Sequence, residues 1–157
     1  MTELCVASGM RLLAFGVLCG GLLTDRYLGR PDLTAAELAA SWSLAKYRRY
    51  VSCCGGWAVL QSLLRTLRAV ADRYVVDGEP VSIANVATRW VLQQRAVAAV
   101  IVGLKPGHSQ HLSDNKRTFR FELNGWALHA SYALPTTIIV SAPAIRPHLH
   151  SDRHHHR

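Results

Sequence analysis

The spacing of apolar positions changes several times along the chain, and each change predicts an element. Leu12 to Leu18 is a nearly continuous apolar run of strand length, the pattern of a parallel strand covered on both faces. Residues 2–9 before it read as the end of a helix stopped by Gly9. Leu60, Leu63, Leu64, Leu67, Val70, Ala71 and Tyr74 recur at helical spacing, which predicts an amphipathic helix over about residues 58–74 with Arg65, Arg68 and Asp72 outward. Asp77, Gly78 and Pro80 interrupt that pattern. Ser82 then caps a second helix whose buried stripe is Ile83, Val86, Ala87, Trp90 and Val91. A second apolar strand, residues 97–102, stops at Gly103, and a polar helix over about residues 109–118 follows a loop holding Lys105, Pro106 and Gly107.

Chemistry gathers where the two strands end. The unpaired N–H groups in the first turn of a helix, together with its dipole, make a seat for phosphate, and Lys105 adds the counter-charge at the second strand's exit. At the first strand's exit, Gly20 and Gly21 allow close approach of a ligand or of another segment, and serve a tight turn equally well. Residues 25–57 read as a long connector with an Ala-rich helical piece from Thr34 to Ser41, a basic patch from Lys46 to Arg49, and Gly55-Gly56-Trp57. Connectors of that length are lids or ligand-binding excursions; a solvated loop anchored by Trp57 is the competing reading.

Composition narrows the classes. With 157 residues, half of them hydrophobic, the chain can form one domain with a real core. Its 18 basic and 10 acidic residues give a net charge of +8, which suits an anionic ligand. The basic residues are scattered, form no basic helix and do not interleave with aromatics, so neither nucleic acid nor a membrane is an expected partner. The apolar run from Arg11 to Leu23 is short of a membrane span, lacks a clean small-x-small cleavage site and follows Glu3, all against a signal peptide. Cys5, Cys19, Cys53 and Cys54 fit neither a disulfide framework nor a spaced zinc site, so reduced thiols in the cytoplasm are expected and no metal. The histidine-rich end reads as a disordered basic tail.

Three stretches resemble one family. The run Leu-Leu-Ala-Phe-Gly-Val-Leu-Cys-Gly-Gly-Leu-Leu-Thr-Asp-Arg-Tyr-Leu is similar to the penultimate barrel strand of aldo-keto reductases, with Phe15 where the family has Tyr. Ser-Ile-Ala-Asn-Val-Ala-Thr-Arg-Trp-Val-Leu-Gln-Gln is similar to the family helix that leads into the last strand. The spacing of Gly103, Lys105, Ser109, His111 and Asn115 resembles the segment that holds the adenosine phosphate of NADP. The likeness covers about residues 3–123 and stops at Asn124.

The resemblance implies an α/β fold: the last two β/α units of a (β/α)8 TIM barrel over residues 1–123, with a non-family tail over 124–157. It implies NADP as cofactor, with Phe15, Gly16, Leu18 and Gly20 on the nicotinamide and diphosphate side. Gly103, Lys105, Ser109, His111 and Asn115 fall on the adenosine phosphate side. Phe15 as a core aromatic is the competing reading. A complete barrel takes about 250 residues, so the chain is expected to be truncated and to lack the family's catalytic Asp, Tyr, Lys and His. The function implied is reduction of an aldehyde or ketone by an NADP-dependent oxidoreductase. The alternative is a non-catalytic interaction module that associates with a complete reductase subunit.

Overall fold

A computed structural model describes residues 2–103 and 109–125. Within them the elements run α1 (Thr2–Ser8), β1 (Leu12–Phe15), α2 (Ala35–Ala40), α3 (Trp42–Cys53), α4 (Gly56–Ala71), β2 (Val75–Val76), β3 (Glu79–Pro80), α5 (Ile83–Leu92), β4 (Val97–Ile101) and α6 (Ser109–Arg117). The result is a mixed α/β structure, rich in helix and poor in strand. No helix among the described residues is long and apolar enough to cross a membrane. The expected tail and the β-branched run from Thr136 to Val140 lie outside the described residues.

β1 and β4 pair in parallel, with Leu12 opposite Val97 and Phe15 opposite Ile101 and an irregularity after Leu12. β1 is shorter than its apolar run because Gly16 adopts a φ of 70°, which ends extended backbone at once. Below the sheet lies the core. Leu60, Leu63, Leu64 and Leu67 of α4 and Val86, Ala87 and Trp90 of α5 are buried there, and Ala14, Val97 and Val100 of the sheet pack against them. The other face of the sheet is open: Leu13, Phe15 and Ile101 are 63, 66 and 58% exposed. Among the described residues neither outer edge of this two-stranded sheet has a further strand.

The cap of α5 forms as its sequence predicts. Ser82 Oγ accepts from the Asn85 N–H at 3.2 Å while Asn85 Oδ1 accepts from the Ser82 N–H at 3.0 Å, a reciprocal box that satisfies two donors of the first turn. Between β2 and β3 the hairpin turns through Asp77 and Gly78, both at positive φ, as a two-residue Asp-Gly loop requires.

The connector differs from the expected long loop. Thr34 and Glu37 form a second capping box on α2, and Ser41 both closes α2 and accepts the Leu44 N–H to start α3. The inward stripe of α3 is Leu44, Tyr47, Val51 and then Cys54 beyond its end, an apolar face interrupted by a phenol and a thiol. Two contacts anchor the connector to α4. Trp57 Nε1 donates to the Arg30 carbonyl at 2.9 Å, and Gln61 bridges Tyr27 and Gly29 by donating to one backbone carbonyl and accepting one N–H, both at 2.8 Å.

Candidate functional site

Parallel strands direct ligands to their carboxyl ends, where the loops that follow them converge. At that end of β1 and β4 is a cleft of about 230 Å³. Leu18 reaches it from the loop after β1, Gly103 from the end of β4, and His111 and Asn115 from α6. These four of the nine sequence-derived positions meet on one concavity, although 97 residues separate the first from the last in numbering terms of 18 and 115.

The remaining five are placed otherwise. The Phe15 ring is on the open face of the sheet and is not a core residue of the described chain. Gly16 and Gly20 flank Leu18, and their missing side chains leave room for Tyr47 of α3. Ser109 opens α6, and its side chain lies outside the described residues, as does the whole of Lys105.

Three charged residues of the cleft were not anticipated. Asp25 and Arg26 follow the turn after β1, and Asp114 precedes Asn115. Both carboxylates are engaged by the protein. Asp25 accepts from Arg68 at 2.7 Å and from the Ile83 N–H at the start of α5 at 3.0 Å; Asp114 accepts from the Ser82 hydroxyl at 2.9 Å. Arg26 lies 5.5 Å from the centroid of the Tyr27 ring and, among the described residues, forms no ion pair. Its charge therefore remains available to the cleft. No local sequence signal marks these residues, because their place in the cleft depends on contacts with the start of α5.

Behind the cleft, α3 packs on the 16–20 loop. Lys46 Nζ lies 5.3 to 6.0 Å from the ring centroids of Trp42, Tyr47 and Tyr50, and Tyr47 and Tyr50 meet edge to face at 5.7 Å. Burial, with Cys19 and Tyr50 nearby, pushes the Tyr47 phenol above its ordinary value, so it stays protonated at neutral pH. All four cysteines are free thiols. Burial, reinforced by Cys54, pushes Cys19 up to about 12, whereas Cys53 is exposed. An aromatic disulfide reagent at neutral pH is expected to label Cys53 in the native protein and Cys19 only after unfolding, because the thiolate is the reacting species. Equal labelling rates would show that the 16–20 loop opens freely.

Two parallel strands, helices packed on one face and a cleft at the strands' carboxyl ends define a mixed α/β unit. Residues 1–126 match the aldo/keto reductase family, and the chain belongs to that family. Flagellar radial spoke protein 5 of Chlamydomonas reinhardtii is 36% identical over 89 residues, an alignment covering 56% of this chain and 16% of that relative. The chain thus corresponds to about one sixth of the relative's length. No solved structure matches the chain.

Proposed function

We propose that the chain is the cofactor-binding C-terminal part of an aldo/keto reductase barrel, residues 1–123 supplying its last two β/α units, and that it takes NADP at the cleft. The observation that carries this reading is the convergence of Leu18, Gly103, His111 and Asn115 with the cation Arg26 at the carboxyl ends of both parallel strands. The donor set fits a phosphorylated nucleotide. Arg26 offers a guanidinium without a carboxylate partner among the described residues, and His111 and Asn115 stand on the first two turns of the nine-residue α6, whose N-terminal dipole favours an anion. Lys105, between β4 and α6 in the sequence, would add a second cation, which favours NADP over NAD because the additional phosphate needs a positive partner.

When bound, NADPH would supply the hydride for reducing an aldehyde or ketone. The chain's own residues bind and orient: Leu18 and Gly103 shape the walls, and Arg26, His111 and Asn115 meet the adenosine phosphate end. A proton donor within hydrogen-bond reach of the carbonyl oxygen is also required, and the family motifs for that donor do not occur in this sequence. Turnover on this reading needs a further segment or a complete reductase subunit, in the cytoplasm, where NADPH and reduced thiols coexist. Lys105→Ala is expected to weaken NADPH binding about tenfold while changing NADH binding less than about twofold. Fluorescence titration with both nucleotides checks this, and equal losses would remove Lys105 from the phosphate site.

The open sheet face favours a second reading. Leu13, Phe15 and Ile101 form an exposed apolar row beside strand edges that are unpaired among the described residues, and one relative is named as a flagellar radial spoke protein. A non-catalytic interaction module derived from the reductase fold would use such a face. Co-purification with a complete reductase subunit supports it; a monomer with its own NADPH affinity counts against it.

A further inference from the structure

We infer that Tyr47 is a positioning residue for the dinucleotide, holding the 16–20 loop in the shape that turns Leu18 toward the cleft. This rests on the proposed NADP site and adds to it a residue of a different element, α3, which does not line the cleft.

The loop is held against its own preferences. Gly16 and Gly20 have φ values of 70° and 66°, and Cys19, which has a Cβ, sits at 52°. A non-glycine residue at positive φ persists only where its surroundings fix it. Local hydrogen bonds fix part of the loop: the Cys19 N–H donates to the Gly16 carbonyl at 2.9 Å, and the Gly21 and Leu23 N–H groups both donate to the Leu18 carbonyl, at 2.9 and 3.1 Å. These bonds tie the loop to itself, and the buried side chains of Val17 and Cys19 seat one side of it in the core.

Tyr47 seats the side of the loop that carries the glycines. A Cβ on Gly16 would overlap the Tyr47 hydroxyl, and a Cβ on Gly20 would come within 2.5 Å of the Tyr47 ring and 2.9 Å of Ser43 Oγ. One aromatic side chain therefore fills the space beside both glycines, the two residues that bracket Leu18. Tyr47 is itself fixed. Tyr50 packs edge-on against it, the Lys46 ammonium lies 5.3 Å from its ring centroid, and α3 is anchored by the wholly buried Val51 and by the Arg48–Asp32 ion pair. The glycines thus serve the approach of another segment, and through it the direction of Leu18.

The test compares NADPH with adenosine 2′,5′-bisphosphate, which carries the adenosine phosphate end and lacks the nicotinamide half assigned to the 16–20 loop. Tyr47→Ala is expected to weaken NADPH binding about tenfold and to leave the bisphosphate within about twofold, while Tyr47→Phe, which keeps the ring, retains NADPH binding within about twofold. Gly20→Ala attacks the same contact from the loop side and is expected to reproduce the Tyr47→Ala pattern, which decides the matter if Tyr47→Ala does not fold. Unchanged NADPH affinity in both variants, or parallel loss of both ligands in folded protein, overturns the positioning role. A wild-type protein that binds both ligands, with Tyr47→Ala and Gly20→Ala binding both as the wild type does, overturns this inference alone. One that binds neither overturns the proposed function, and this inference with it.

Discussion

Asn85→Ala is expected to destabilise the protein by about 2–4 kcal/mol, because buried groups lose partners that water cannot replace. Asn85 is 0% exposed and works in three directions. Its Oδ1 accepts the Ser82 N–H at 3.0 Å, and its Nδ2 donates to the Asp114 carbonyl at 2.8 Å and to Thr118 Oγ1 at 3.1 Å. Alanine keeps the helix and removes all three bonds. The consequence reaches the cleft, since the Asp114 carbonyl belongs to α6, which also carries His111 and Asn115. Ligand affinity should therefore fall along with the urea midpoint. A loss below about 1 kcal/mol would mean that α6 is held to α5 by something other than Asn85.

What the sequence revealed follows from what each signal measures. The stripe of α5 and its Ser82 cap were legible because a 3.6-residue period and a capping hydroxyl are local facts, and Trp90 is buried at its predicted place. α3 was hidden because its inward face includes Tyr47 and Cys54 among lysine and arginine, so its mean polarity reads as a loop. The end of β1 was hidden for a different reason: apolar character continues to Leu18, but the backbone turns at Gly16, and hydrophobicity does not report φ. In the cleft, Gly103, His111 and Asn115 lie on one strand-to-helix passage and were grouped by its resemblance to the reductase segment. Asp25 and Arg26 were not, because their position depends on the Asp25 carboxylate meeting the Ile83 N–H, 58 residues away.

Trp90→Ala should cost about 3–5 kcal/mol, the range for removing a large buried aromatic. Trp90 is 1% exposed between α4, α5 and the sheet, so little of the resulting cavity can collapse. A loss of that size is comparable to the whole stability of a small domain, and the variant is expected to be largely unfolded at 25 °C by circular dichroism. Phe15→Ala provides the contrast. At 66% exposure its ring has little burial to lose, and the expected cost in the isolated chain is below about 1 kcal/mol. The pair of measurements therefore separates the two readings of Phe15 and bears on both proposed functions. A small cost leaves Phe15 as a ring presented on an open face, suited to stack against a nicotinamide or a partner. A cost of several kcal/mol would mean that this face of the sheet is covered in solution. In that case the interaction reading gains, because the row formed by Leu13, Phe15 and Ile101 is the apolar surface of the sheet that the described residues leave uncovered.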